Sequence, residues 1–258
     1  MYDLLKTTLI GLFFGTFGTT LGGLIGVFFK RPSSKFLSFI LSFAAGLMTS
    51  ILSFDLIPEA LNISKIQNVI FGILFGIISM FICNYIVDRK FEKESNINKN
   101  DKADLLRAGI ITSIGLAIHN FPEGLAIGSG FGASITLGYS LALAICIHDI
   151  PEGIAMAVPM KNGGMKASKV IFYVILSGVT TGIGAFAGKI IGEISDSIIS
   201  VCLSFAAGAM LYIVSCELIP ESNQMYKGKF GTFGTILGFV LGLIAVSLWK
   251  IYRLTFKN

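Results

Sequence analysis

Charge is scarce in this chain. Of its 258 residues, 14% are Asp, Glu, Lys or Arg, against roughly 25% in a soluble domain, which excludes an ordinary water-facing globular surface. No polar block is long enough to fold alone, so residues 1–258 read as a single transmembrane domain. The four cysteines, Cys83, Cys146, Cys202 and Cys216, stand singly in apolar runs without a C-x-x-C pair. They read as buried small apolar residues and say nothing about redox compartment. No segment carries H-E-x-x-H, the helix signature of a zinc protease, and the chain does not read as an enzyme. The first apolar run, from Leu4 to Phe29, lacks a strongly basic leader and a small-residue cleavage site, so a retained helix is expected there. The net charge of +5 is spread along the flanks of apolar runs, which argues against a nucleic-acid partner and for a lipid bilayer.

What is present is apolar sequence in long blocks. Hydrophobic residues make up 53% of the chain, mean hydropathy is +0.79, and the blocks reach the length that crosses a bilayer. The fold class is therefore an all-α integral membrane protein. Eight spans are expected at 4–29, 36–61, 66–88, 105–130, 134–160, 166–190, 195–222 and 229–254. Gly128-Ser129-Gly130-Phe131-Gly132 predicts the turn that separates the fourth span from the fifth. Residues 89–104, rich in Lys, Glu, Asn and Asp, form the sizeable loop. Fourteen lysines and arginines flank the connections after odd-numbered spans, against six (Lys6, Lys65, Lys189, Lys250, Arg253, Lys257) on the opposite side. The positive-inside rule then puts both termini outside the cytoplasm and the 89–104 loop within it.

The chain also repeats itself. Leu41-Ser42-Phe43-Ala44-Ala45-Gly46 returns as Leu203-Ser204-Phe205-Ala206-Ala207-Gly208, and Asp55-Leu56-Ile57-Pro58-Glu59 as Glu217-Leu218-Ile219-Pro220-Glu221, at a constant offset of 162. The offset aligns spans 1–3 with spans 6–8 in opposite directions and leaves spans 4 and 5 at the centre. Such inverted-topology repeats are typical of secondary transporters with a midplane site. Glycines at four-residue spacing, among them Gly18/Gly22/Gly26 and Gly184/Gly188/Gly192, predict close helix packing.

Both histidines of the chain lie in two near-identical stretches 29 residues apart, His119-Asn120-Phe121-Pro122-Glu123-Gly124 and His148-Asp149-Ile150-Pro151-Glu152-Gly153. Ionisable groups inside a span are expensive and mark function by default. His119 and Glu123 are four residues apart and share a helix face, as do His148 and Glu152. Pro122 and Pro151 lack an N–H and are expected to kink their helices. Imidazole with carboxylate suits borderline divalent ions such as zinc, iron(II), manganese, cobalt or cadmium, whereas a calcium or magnesium cage uses oxygen alone. Carboxylates this close repel one another, so some bind protons until a metal displaces them. Asp55, Glu59, Glu217 and Glu221 are further acids within spans, with Glu217 the deeper of the seventh-span pair and Glu59 and Glu221 near span ends. Met48 offers a thioether in the second span.

At these residues the sequence resembles the ZIP (zinc/iron-regulated transporter-like) family of divalent metal transporters, in particular its bacterial ZupT-like and GufA-like members. The resemblance covers all eight spans. It implies a binuclear site bridged by Glu123 and Glu152, with His119 and Met48 completing one metal's ligands and Asn120, Asp149 and Glu217 the other's. His148 falls on a motif position that varies in the family. The metal is then transported substrate and not a cofactor, imported through the plasma membrane by alternating access, with spans 1, 4, 5 and 6 moving against the rest. Family members are often homodimers. They also often carry a histidine-rich loop after the third span, and residues 89–104 contain no histidine. A passive metal channel on the same scaffold and an intramembrane metalloprotease are the rival readings.

Overall fold

The structure, a computed structural model, describes residues 2–28, 33–92 and 101–255. Eight helices long and apolar enough to cross a membrane make up the bundle, and the described residues contain no strand. They are α1 (Tyr2–Phe28), α2 (Ser34–Ile63), α3 (Ile66–Glu92), α4 (Asp101–Ala133), α5 (Ile135–Asn162), α6 (Ala167–Gly192), α7 (Asp196–Met225) and α8 (Lys229–Thr255). This is a multi-pass membrane protein turned outward in the expected sense. Phe13, Phe71, Phe81, Phe172, Ile183, Phe233 and Leu248 are exposed, while His119, Asn120, Glu123, His148, Asp149 and Glu152 are buried. Lipid accepts the first set, and only protein can accommodate the second.

Serine hydroxyls start three of the helices. Ser33, Ser134 and Ser195 accept from the backbone N–H groups of Phe36, Leu137 and Ile198, each satisfying one donor that a helix N-terminus leaves over. Ser134 is also where the turn between α4 and α5 falls, which corrects the expectation that Gly128–Gly132 makes it. That glycine stretch remains helical because its small residues are packing surfaces. A Cβ on Gly128 would stand 2.2 Å from the Ala185 carbonyl oxygen of α6. The expected 89–104 loop narrows as well, since α3 runs to Glu92 and α4 starts at Asp101. Residues 93–100 lie outside the described residues, as do Lys30, Arg31 and Lys257 of the charge count.

Helices α2 and α7 each contain one π turn, Leu52–Leu56 and Val214–Leu218. In each the following N–H, of Ile57 or Ile219, reaches back five residues. A proline comes next, Pro58 or Pro220, and withholds the donor that the ordinary ladder would use. The prolines of the motifs act more gently: α4 runs through Pro122 and α5 through Pro151 and Pro159 without interruption.

The offset of 162 governs packing as well as sequence. Helix α2 packs on α8 and α7 on α3, while α1 packs on α5 and α6 on α4. Individual contacts follow the same arithmetic, with the motif offset of 29 relating α4 to α5. A Cβ on Gly124 would stand 2.0 Å from the Thr181 carbonyl oxygen, and one on Gly153 would stand 2.2 Å from that of Thr19. Gly184 meets the Phe121 carbonyl as Gly22 meets that of Ile150, and Gly46 meets Thr235 as Gly208 meets Ile73. The final glycine of each motif is thus the point where its helix rests on a neighbour's backbone, α4 on α6 and α5 on α1. Helices α1, α4, α5 and α6 form one tightly packed group. The core residues Leu41, Met48, Ile127, Leu141, Ile145 and Met210 are fully enclosed.

Candidate metal centre

The two motifs meet where α4 and α5 pack together. His119 Nε2 lies 3.0 Å from Glu123 Oε1 on its own helix and 3.3 Å from Glu152 Oε1 on α5. His148 Nε2 lies 2.6 Å from Glu123 Oε1 and 3.5 Å from Asp149 Oδ1. The other ring nitrogen of His148 is 3.1 Å from the Ala144 carbonyl oxygen. A carbonyl can only accept, so Nδ1 donates to Ala144, while Nε2 faces the cluster and hydrogen-bonds with Glu123 Oε1.

Six oxygens here find no hydrogen-bond donor among the described residues: Asn120 Oδ1, Glu123 Oε2, both oxygens of Asp149 and both of Glu152. The His119 ring makes none either, because its 3.0 and 3.3 Å approaches to the glutamates are poorly aligned for donation. Buried acceptors are ordinarily donated to, and a dense group without donors has the character of a cation site. Two sets of three side chains hold ligand atoms within 4.8 Å of one another, His119–His148–Glu152 and Glu123–His148–Asp149. Zinc takes nitrogen and oxygen ligands at roughly 2.0–2.2 Å, so either set fits around one ion with slight closure.

Not every candidate from the sequence gathers here. His148, at the position that varies in the resembling family, belongs to both sets. Glu217 belongs to neither. It sits in the π turn of α7 and accepts a short hydrogen bond from Asn84 Nδ2 of α3. Its repeat counterpart Asp55 sits in the π turn of α2, buried, with Ser140 Oγ of α5 3.3 Å from its Oδ2. Met48 is fully buried in the core cluster of α2. Glu59 is half-buried one turn beyond Asp55. Glu221 lines a cavity of about 330 Å³ together with Glu152, Glu217, Asn84, Thr112 and Cys216. Cys216 and Gln224, also on its wall, are exposed. The cavity therefore joins Glu152 to the surface at the end of the bundle where α3 and α7 finish and α4 begins.

Sequence reasoning missed the residues that hold the candidate side chains. Asn120 Nδ2 is 3.1 Å from the carbonyl oxygen and 3.2 Å from Oγ of Ser177 on α6. Asn84, Ser140 and the Ala144 carbonyl play the same part for Glu217, Asp55 and His148. Serines and asparagines are common in packed spans, and no local pattern singles these out.

Comparison with known proteins finds a family and full-length relatives. The family described as ZIP zinc transporter matches residues 88–250. The zinc transporter GufA of Myxococcus xanthus is 38% identical over 138 residues, 53% of this chain and 54% of that protein. The zinc transporter ZupT of Akkermansia muciniphila is 31% identical over 262 aligned positions, which cover 94% of this chain and 95% of that protein. ZupT of Stenotrophomonas maltophilia is 31% identical over 244, covering 89% and 90%. With paired His-x-x-x-Glu motifs buried in an eight-helix bundle and relatives aligned along nearly its full length, the chain belongs to the ZIP zinc transporter family.

Proposed function

We propose that this protein imports zinc, and with it iron(II), manganese(II), cadmium(II) and cobalt(II), through the plasma membrane into the cytoplasm by way of the cluster between α4 and α5. The observation that carries the reading is the group of six donor-less buried oxygens beside two imidazoles. Its mixed nitrogen and oxygen donors favour borderline ions over calcium and magnesium. Glu123 and Glu152 are the shared ligands. The Asn84–Glu217–Glu221 cavity is the exit, because its end of the bundle carries the larger share of basic residues and is cytoplasmic by the positive-inside rule. Both termini are then extracytoplasmic, and two copies pair as a homodimer.

The repeat supports alternating access. Matched contacts at an offset of 162 support reading the two halves as structural equivalents, and equivalents inserted in opposite directions exchange roles when the site changes sides. Helices α1, α4, α5 and α6 are the group that carries the ligands. A passive channel is the alternative, and saturation separates the two: carrier flux saturates with zinc, whereas a channel shows single-channel currents. The direct test is zinc uptake by purified protein in liposomes, with and without a pH gradient. Glu123→Ala abolishes uptake on this reading, and uptake at the native rate in that variant overturns it.

A further inference from the structure

We propose that Ser177 of α6 is a positioning residue for the metal centre, fixing the Asn120 amide so that Oδ1 is the atom delivered to the ion. The inference rests on the metal-centre reading above.

An asparagine side chain can present either end of its amide, and only the oxygen end ligates a cation. Two acceptors on one residue decide the matter. Asn120 Nδ2 is 3.1 Å from the Ser177 carbonyl oxygen and 3.2 Å from Ser177 Oγ. A carbonyl cannot donate, so the flipped amide would set two oxygens against each other inside a fully buried site. The nitrogen end therefore faces α6, and Oδ1 is left buried without a donor. Ser177 is itself buried, and its carbonyl also accepts from Thr180 Oγ1 at 2.6 Å, which ties the acceptor pair to the next turn of α6.

The other half of the molecule supplies an internal control. The motif offset of 29 carries Asn120 to Asp149, and the repeat offset of 162 carries Ser177 back to Gly15. Asp149 has no N–H to satisfy, and the helix beside it has no side chain at the corresponding position. Helix α1 instead comes close to Asp149 on a glycine, for a Cβ on Gly18 would stand 2.9 Å from the Asp149 Cβ. At this one position, then, a hydroxyl stands on α6 beside the ligand whose hydrogens need acceptors, and α1 has none. Gly15 is also held small by packing, since a Cβ there would stand 2.4 Å from Thr181 Cβ, so the substitution series and not the comparison of halves decides the role of Ser177.

The test is zinc affinity of the purified full chain by titration calorimetry. Ser177→Ala removes one of the two acceptors and should raise the zinc Kd roughly three- to tenfold, the share of one hydrogen bond. Ser177→Thr, which keeps the hydroxyl, should restore it. In an Asn120→Asp background the hydrogens are gone, so Ser177→Ala should leave the Kd unchanged or lower it. An unchanged Kd in Ser177→Ala alone, an equal loss in both backgrounds, or no recovery with threonine overturns the proposal. The comparison of alanine with threonine carries the test if Asn120→Asp does not fold. Glu123→Ala is titrated alongside: native affinity there sinks the metal-centre reading, whereas loss there with no effect of Ser177→Ala sinks only this inference.

Discussion

At the scale of residues, the centre is built from two copies of one hexapeptide used unequally. His119 faces both glutamates, while His148 sits closest to Glu123 and touches both ligand sets. The sequence made the motifs visible because histidine, carboxylate and proline in an apolar run are costly and rare. It could not rank the two histidines, since their order depends on how α4 and α5 face each other. His148 belongs to both groups of potential ligand atoms and His119 to one, so on the proposed reading His148→Ala should weaken zinc binding by roughly tenfold or more, no less than His119→Ala. Native affinity in His148→Ala would remove it from the ligand set. Zinc accepts deprotonated ligands, so binding should release protons. Calorimetry in two buffers of different ionisation enthalpy reads that release, and buffer-independent heats would count against it.

At the scale of elements, small residues decide how near the ligand helices can approach their supports. Gly124 and Gly153 end their motifs on the backbones of α6 and α1, where an added Cβ would stand 2.0 and 2.2 Å from carbonyl oxygens. Each glycine follows its motif glutamate directly, so the same contact that packs the helix also seats the ligand. Gly124→Ala or Gly153→Ala should cost about 1–3 kcal/mol of stability through the forced separation of helices. Gly115 lies on the same α4 with nothing within 4 Å of its Cβ position, so Gly115→Ala should leave the melting temperature unchanged or raise it. Thermal unfolding in detergent compares the three. Hydropathy found all eight helices, and the glycine periodicity anticipated their packing. It misplaced the turn after α4, because five residues rich in glycine read equally as a loop or as a close-packing face. The π turns of α2 and α7 were hidden, since Pro58 and Pro220 announce an irregularity without fixing its hydrogen-bond pattern.

At the scale of the molecule, one rule of correspondence organises the bundle. Contacts at Gly184 and Gly22 and at Gly208 and Gly46 are pairs under the offset of 162, and those at Gly124 and Gly153 are paired by the motif offset of 29. Only fragments of the repeat survive in the sequence, around Leu41–Gly46 and Asp55–Glu59, whereas the packing extends it to α1, α3, α6 and α8. Backbone approaches persist where side chains drift, which is why the structure displays more of the repeat than the residues do. The correspondence breaks at one end of the bundle, where the cavity beside Glu152 is lined by Asn84, Glu217 and Glu221. Cys216 on its wall is exposed. With Cys83, Cys146 and Cys202 replaced by serine, a membrane-impermeant maleimide should label Cys216 from the cytoplasmic face alone, and labelling from the opposite face would reverse the proposed orientation. The central claim, that transported zinc rests between α4 and α5, is tested most directly by anomalous diffraction at the zinc edge from zinc-loaded crystals. The expected result is a peak about 2.0–2.2 Å from a histidine nitrogen and from oxygens of Glu123 and Glu152. Peaks confined to the Glu217–Glu221 cavity, with none at the paired motifs, would contradict it.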